Sequence, residues 1–222
     1  MELSTTALFR GICKADIPSL LHCLGATQKY YKKGDLIFAE GTTTEHLGIV
    51  LTGWVLIQYS DVWGSASILG SADPGDTFGE AYACCPEEPL QISAVAAADT
   101  TVLLLNVNRV MHTCPHACTF HASLIGNLLS VCAHKNLELS RRMLHTTPKT
   151  IRGRLLSYFS ECVKRAKSAA FTLPYNRQQL ADYLGVDRSA LCSELSKMQK
   201  DGLLHYERNR VEICHAEALP FF

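Results

Sequence analysis

Residues 176–198, with the sequence NRQQLADYLGVDRSALCSELSKM, decide the fold of the C-terminal third of the chain. Asn176, followed three positions later by Gln179, is typical of a capping box and predicts that a helix begins there. Gly185 permits the left-handed backbone that ends a helix, and Asp187 can cap the next one. Apolar residues recur at helical spacing on both sides of that turn, at Leu180, Ala181, Leu184, Leu191, Leu195 and Met198. The stretch therefore predicts two helices joined by a tight turn, the helix-turn-helix arrangement.

A short hairpin is predicted after the second helix. Gly202 precedes residues 203–213, in which two strand-length segments flank the tip Arg208-Asn209-Arg210. A helix-turn-helix followed by such a hairpin is a winged helix, whose second helix enters the major groove of DNA. The alternative interpretation is an αα-hairpin with no role in DNA binding.

The polar side of the predicted second helix carries the candidate base-reading residues. Arg188 can donate two hydrogen bonds to one guanine, which is worth about 1–3 kcal/mol of discrimination. Ser189 and Ser193 are less selective, so we expect a palindromic operator with an altered half-site. The predicted DNA-binding residues are Arg188, Ser189, Cys192, Ser193, Asn176, Arg177, Gln178, Lys197, Arg208 and Arg210. Of these, Arg177, Gln178, Lys197, Arg208 and Arg210 are expected to touch phosphate, the alternative being a solvated surface charge.

The distribution of charge agrees with an anionic partner at this end. The 222 residues contain 21 Lys and Arg against 21 Asp and Glu. Up to residue 145 the count is 9 basic against 13 acidic residues, and from residue 146 onward it is 12 against 8. The net charge of zero therefore divides into −4 and +4. A basic C-terminal part joined to an acidic body favours nucleic acid as the partner.

Composition excludes several classes of protein. With 47% apolar and 19% charged residues the chain is ordinary globular material, and no run of about 18 apolar residues predicts a membrane span. The N-terminus lacks the basic and apolar segments of a secretory signal. Ten cysteines in that context are typical of free thiols in a reducing cytosol, so we expect a cytoplasmic protein without membrane contact.

The first hundred or so residues predict short strands separated by glycine turns, which favours a β-sandwich or barrel. Residues 121–143 predict one long helix, and its coiled-coil seam would consist of Ile125, Leu129, Cys132, Asn136, Leu139 and Met143. A second apolar row, Leu124, Leu128 and Val131, would face the β domain. We expect the seam to pair with a second copy, the alternative being a buried helix in a monomer. Pro148 ends the helix, so the predicted domains are 1–118, 119–146 and 147–222.

The order of these parts resembles the CRP/FNR family of bacterial transcription regulators over nearly the whole chain. The motifs that carry the resemblance are residues 31–35 (YKKGD), Thr52-Gly53, residues 74–80 (PGDTFGE), Gly153-Arg154 and the helix-turn-helix. Residues 187–191 (DRSAL) with Glu194-Leu195 resemble a subgroup found in Firmicutes. The resemblance implies an α+β protein with an N-terminal jelly-roll domain of the cyclic-nucleotide-binding type, a long dimerisation helix and a C-terminal winged helix. It also implies a homodimer that binds double-stranded DNA, and that contacts RNA polymerase if it is an activator.

The chain departs from the family's cyclic-AMP-binding members at the phosphate site. In those members the Gly-Glu pair is followed, further along the chain, by an arginine and a serine or threonine. Here the Gly-Glu pair is Gly79-Glu80, and the pair that aligns with the arginine and its neighbour is Ile92-Ser93. Without the arginine a buried phosphate lacks its bidentate partner, so we expect an effector other than cyclic AMP, such as a compact, partly apolar acid. The predicted effector-binding residues are Phe78, Gly79, Glu80, Ala81, Ile92, Ser93, Leu128, Cys132 and Lys135.

A Cys- and His-rich segment at residues 112–121 suggests an alternative, a metal- or redox-sensing regulator of the same family. Cys114, Cys118 and His121 could ligate one zinc or iron ion, with Cys84 or Cys85 as a fourth ligand. The competing interpretation, buried cysteines acting as small apolar residues, is favoured because the spacing matches no closed zinc motif. No metal cofactor is therefore expected.

No enzyme activity is expected. The contrasting hypothesis is a cupin-type metal enzyme, which needs several inward-facing ligands on its strands. The strand region supplies only His46 beside Glu45, and no catalytic carboxylate pair, nucleophile elbow or phosphate loop occurs in the sequence. The identity of the effector, the operator sequence and the direction of regulation are not encoded in any recognisable motif.

Overall fold

A computed structural model of the chain describes residues 2–60, 66–111 and 119–214. Contacts divide the chain into two compact units, Met1–His134 and Lys135–Phe222. The division falls inside the long helix, and the three predicted domains, 1–118, 119–146 and 147–222, stay a prediction. In the ranges that the structure describes, no helix is both long enough and apolar enough to cross a bilayer.

The first unit is a β-roll of two antiparallel sheets. It begins with a 3-10 turn at Leu3–Thr5 and helix α1 at Ile17–Cys23. Its strands are β1 (Thr27–Tyr31), β2 (Leu36–Phe38), β3 (His46–Thr52), β4 (Val55–Ser60), β5 (Ala66–Ala72), β6 (Thr77–Phe78), β7 (Ser93–Ala96) and β8 (Thr100–Asn106). Helix α2 (Glu80–Cys84) follows β6, and α3 (Val107–Met111) follows β8. In the described residues the strand orders are β1-β8-β3-β6 and β2-β7-β4-β5, so the predicted β domain is confirmed.

Two clusters of apolar side chains fill the roll. One includes Phe38, Val50, Phe78 and Leu90, and the other joins Leu8, Phe9, Leu47 and Leu105 to the first half of the long helix α4 (Thr119–Thr146). Leu124 and Leu128 of α4 are buried in this second cluster. The predicted apolar row that faces the β domain is therefore confirmed at these two positions.

The second unit is a small α+β domain. The last turns of α4 lead to α5 (Ile151–Ala166), which is followed by β9 (Ala170–Thr172), α6 (Arg177–Leu184), α7 (Arg188–Lys200), β10 (Leu204–Glu207) and β11 (Arg210–Ile213). The three strands pair antiparallel in the order β10-β11-β9. The core of this unit is an apolar cluster formed by its helices and strands, and it includes Leu155, Phe159, Leu180, Leu195 and Val211.

Candidate nucleic-acid interface

Helix α6 begins with the predicted capping box. The Asn176 side-chain oxygen accepts a hydrogen bond from the Gln179 backbone N–H at 2.9 Å, and the Gln179 Oε1 accepts one from the Asn176 N–H at 2.9 Å. Two of the N–H groups that a helix start leaves without partners are satisfied in this way. The side-chain oxygen of Asn176 is thus committed to the helix start.

The turn between α6 and α7 has the predicted conformation. Gly185 has φ 63° and ψ 47°, the left-handed region that glycine adopts without a steric penalty. Asp187 caps α7, since its carboxylate accepts hydrogen bonds from the Ala190 N–H at 3.0 Å and from the Ser189 hydroxyl at 2.5 Å. The bond from Ser189, followed by that from the Ala190 backbone, lowers the pKa of Asp187. Asp187 therefore caps α7 as a carboxylate.

Helix α7 presents one apolar and one polar side. Leu191, Leu195 and Met198 are fully buried in the core of the unit. The predicted base-reading residues Arg188, Ser189 and Ser193 are exposed, and Cys192 is half-buried. Lys197 is also exposed. Because the hydroxyl of Ser189 already donates to Asp187, the first turn offers Arg188 as its free strong donor.

The hairpin β10–β11 forms the wing, and α6 holds its tip. Arg208 at the tip has φ 51°, in the left-handed region. Arg177 donates from Nη2 to the Arg208 carbonyl oxygen at 2.7 Å, and its guanidinium carbon lies 4.8 Å from the centre of the Tyr206 ring. The Tyr206 hydroxyl lies 3.2 Å from the Ser196 hydroxyl on α7. Arg177 and Tyr206 therefore attach the wing to both helices.

A cationic cleft of about 550 Å³ opens between the start of α6, the start of α7 and the wing. Its lining residues are Asn176, Arg177, Gln178, Arg188, Tyr206, Arg208 and Asn209. Five of the predicted DNA-binding residues meet in this cleft, whereas Ser189, Cys192, Ser193, Lys197 and Arg210 do not line it. With three arginines and no carboxylate in its lining, the cleft suits a polyanion.

Three arginines outside the cleft support the helix-turn-helix, and periodicity does not reveal them. Arg142 and Arg154 donate to backbone carbonyls at the end of α6. Arg152 on α5 pairs with Glu194 at 2.6 Å and with Asp201 at 2.7 Å. The sequence marks only Gly153-Arg154, through the family resemblance, because these partners lie 30 or more residues away along the chain.

The predicted effector-binding residues are distributed over both units. Phe78 and Ile92 belong to one cluster of the roll, while Leu128 and Cys132 pack on the other. Glu80 is buried at the start of α2, Gly79 before it has φ 75°, Ala81 is exposed, and the Ser93 hydroxyl accepts from the Glu40 N–H at 3.2 Å. Lys135 belongs to the second unit. The effector site stays a prediction.

The metal alternative falls largely outside the described residues. Cys114 and Cys118 lie there, while His121 is buried on α4 and its Nδ1 has no hydrogen-bond partner in the part of the chain that the structure describes. Within the described ranges no cluster of three Cys, His, Asp or Glu residues is arranged to hold a metal ion. The ligand set Cys114, Cys118 and His121 therefore stays untested.

Two family models match this chain. The cyclic nucleotide-binding domain matches residues 28–114, and the Crp-like helix-turn-helix domain matches residues 153–220. Together the two matches span more than half of the chain, in the order that the sequence predicts. A comparison with curated proteins finds no match.

Solved structures share the fold. The Catabolite Activator Protein of Thermus thermophilus is 20% identical, with 96% of this chain and 95% of that chain covered and a TM-score of 0.51. The c-di-GMP-responsive global regulator CLP of Xanthomonas campestris is 20% identical, with 92% and 100% covered and a TM-score of 0.56. CprK complexed with OCPA is 14% identical, with 88% of each chain covered and a TM-score of 0.63. At these identities the likeness shows the arrangement of strands and helices, not a shared ligand.

Proposed function

Since the chain belongs to the CRP/FNR family of transcription regulators, we propose that it reads a palindromic DNA operator as a homodimer and responds to a small-molecule effector. The cleft between α6, α7 and the wing is the single observation that carries the proposal, because three arginines converge beside the first turn of the recognition helix. In this proposal Arg188 reads a base edge, and Arg177, Gln178 and Arg208 contact or support the phosphate backbone.

The proposed dimer uses the seam of α4. Leu129, Leu139 and Met143, at seam positions, are 70%, 65% and 69% exposed. Side chains of this size at coiled-coil spacing are covered efficiently by the same seam of a second copy. Asn136, also exposed on the seam, would set the register of the two helices.

The proposed effector is not cyclic AMP. Ile92 stands where the cyclic-AMP-binding members carry the arginine for the phosphate, and its side chain packs on the apolar cluster around Phe78. Calorimetry with cyclic AMP is expected to give no micromolar binding, and such binding would refute this part of the proposal. Contact with RNA polymerase follows only if the protein activates transcription.

The second candidate, sensing of a metal ion at residues 112–121, is favoured by one observation. His121 is buried and its Nδ1 has no hydrogen-bond partner among the described residues, which leaves a ligand atom three positions after Cys118 in sequence. Metal analysis of anaerobically purified protein is expected to find less than about one tenth of an equivalent, since the spacing fits no closed metal motif. A stoichiometric metal would favour the second candidate.

The decisive experiment is selection of binding sites from random duplex DNA, followed by affinity measurements on the selected operator. The Arg188→Ala variant is expected to lose about 1–3 kcal/mol of discrimination at one base pair of each half-site. Lys200→Ala, at the far end of the same helix, is the matched control and should keep the discrimination. Sedimentation of both variants should give dimers. The proposal would be overturned if no preferred sequence is selected, or if the unaltered protein sediments as a monomer.

A further inference from the structure

The end of α6 is held by two arginines from other helices. Arg142, near the end of α4, donates from Nε to the Tyr183 carbonyl and from Nη2 to the Asp182 carbonyl, both at 3.0 Å. Arg154, on α5, donates from Nη1 to the carbonyls of Leu184 at 2.8 Å and Gly185 at 2.9 Å. A helix end leaves its last carbonyls without partners inside the helix and carries partial negative charge. Two guanidinium groups therefore satisfy four successive carbonyls at the turn of the helix-turn-helix.

A buried histidine makes a second connection from α4. The His145 side chain is only 4% exposed. Its Nδ1 lies 2.9 Å from the Tyr183 hydroxyl on α6, and its Nε2 lies 2.9 Å from Oε2 of Glu161 on α5. The imidazole also packs edge-on against the Tyr158 ring, with centroids 5.3 Å apart. Both of its ring nitrogens thus join the end of α4 to the other two helices.

The helix-turn-helix is attached to α4 in two ways, by these contacts and by the linker between α4 and α5, residues 147–150. The linker is short and is itself tied down, because Arg154 donates from Nε to the Pro148 carbonyl at 2.9 Å. Arg142 and His145 bypass the linker, since they reach α6 directly from α4. The grouping of residues from Lys135 onward with the C-terminal unit agrees with this direct attachment.

We propose that Arg142 and His145 are positioning residues for DNA binding, which fix the orientation of the recognition helix relative to the end of the long helix. The inference rests on the proposed function. In a dimer that pairs through α4, that orientation decides how far apart, and at what angle, the two copies of α7 meet the DNA. Half-site spacing is the direct consequence of such geometry. Loss of Arg142 therefore relaxes the dependence of affinity on spacing, an effect that simple destabilisation does not produce.

The test compares Arg142→Gln with the unaltered protein on its own selected operator and on operators whose spacer is one base pair longer or shorter. The unaltered protein is expected to lose about tenfold in affinity on either altered spacer. Arg142→Gln should bind the best operator about tenfold more weakly, yet lose less than about threefold on changing the spacer. Fluorescence anisotropy at constant salt measures all of these affinities.

Thr150→Ala is the matched control. The Thr150 side chain caps α5 by accepting from the Gly153 N–H at 3.0 Å, beside the linker, and it does not take part in the contacts between α4 and α6. Its removal lowers stability by the amount typical of a lost helix cap and should leave the spacer dependence unchanged. Arg142→Lys, which keeps the charge but loses the two-pronged donor, should fall between the unaltered protein and Arg142→Gln.

Unchanged spacer dependence in Arg142→Gln overturns the inference and leaves the proposed function intact. The same holds if the unaltered protein prefers one operator but tolerates every spacer. If the unaltered protein selects no operator, the proposed function itself fails. Should Arg142→Gln not fold, Arg142→Lys and His145→Gln decide by the same ratio of affinities.

Discussion

The two units of this molecule use different kinds of polar side chain for their hydrogen bonds. In the β-roll, carboxylates shape turns: Asp35 accepts from the Lys32 N–H at 2.8 Å, and Asp76 accepts from the Asp73 N–H at 3.0 Å. In the C-terminal unit, Arg142, Arg154 and Arg177 donate to backbone carbonyls that lie between 30 and 41 residues away. The long-range polar bonds of the first unit come from neutral and acidic side chains instead, such as Asn127, whose Nδ2 donates to the Leu8 carbonyl at 2.9 Å.

This difference explains why a function can be inferred from the residues of the C-terminal unit but not from those of the roll. A surface for DNA must present unpaired positive charge, and the cleft with Arg188 and Arg208 does so openly. The effector site that we propose in the roll would lie among apolar side chains such as Phe78 and Ile92, which also make up an ordinary core. The apolar residues that would surround an effector therefore do not indicate its chemistry.

The largest expected effect comes from substitutions in the apolar core of each unit. Leu195 in α7 and Leu105 in β8 are both fully buried, so replacing either with Ala should cost about 2–5 kcal/mol of folding free energy. Because the units have separate clusters, Leu195→Ala should lower hydrogen-exchange protection in the C-terminal unit, and Leu105→Ala in the roll. Loss of protection in both units from either substitution would show that they unfold together.

Local signals in the sequence predicted much of the C-terminal unit. The Asn176–Gln179 capping box and the left-handed Gly185 are confirmed because each depends on residues only a few positions apart. The other end of α6 was not predictable, since its carbonyls are satisfied by Arg142 and Arg154 from distant helices. An arginine followed by helical residues carries no signal of which carbonyl it will meet.

The strands of the roll were predictable, but their pairing was not. The strand-length runs at residues 47–51, 54–59, 65–69 and 101–105 predict four strands, and these correspond to β3, β4, β5 and β8. The strand order β1-β8-β3-β6 joins segments far apart in the chain, and no short motif specifies such neighbours. For the same reason the predicted effector residues, chosen by motif alignment, cannot be assembled into one site from sequence alone.

A glycine in each unit provides the next comparison. Gly53 and Gly185 both have left-handed φ values, 76° and 63°. A Cβ at Gly185 would make only an ordinary contact, 3.7 Å from Arg154 Nη1, so Gly185→Ala should cost about 1–2 kcal/mol from backbone strain alone. A Cβ at Gly53 would lie 2.5 Å from the Asp99 carbonyl oxygen. Relief of that clash requires the backbone to shift, which costs more free energy than moving the end of a flexible side chain.

Gly53→Ala should therefore destabilise its unit by more than Gly185→Ala destabilises the other. Urea unfolding followed by hydrogen exchange measures both costs. Equal costs at the two glycines would mean that the strand entry at Gly53 relaxes more readily than its surroundings indicate.

Acid should weaken the C-terminal unit through His145. Burial is the largest cause that lowers the pKa of His145 below its ordinary value of 6.5, although the carboxylate of Glu161 acts in the opposite direction. Because the folded state holds the imidazole neutral, the unfolded chain binds the proton first as the pH falls below about 6.5. Stability from this group is thus present above that pH and is lost below it, by at most about 1.4 kcal/mol per pH unit.

The measurement is the midpoint of urea unfolding of the C-terminal unit between pH 7.5 and 5. His145→Gln should flatten the dependence on pH, while the unfolding of the roll should respond to pH equally in both proteins. An unaltered pH dependence in His145→Gln would assign the acid sensitivity to another group, and would remove His145 from the account of this unit.

The smallest expected effect concerns one surface charge in each unit. Arg210 on the wing and Lys32 in the roll are both exposed, so either could be a solvated charge without a partner. If the wing contacts phosphate, Arg210→Ala should weaken binding uniformly across sequences and reduce the slope of log affinity against log salt by about 0.9 for each wing on the DNA. Lys32→Ala should leave the slope unchanged, because only the C-terminal unit is proposed to face the duplex. A lower slope in Lys32→Ala would extend the DNA surface onto the roll, and an unchanged slope in Arg210→Ala would confine it to the cleft.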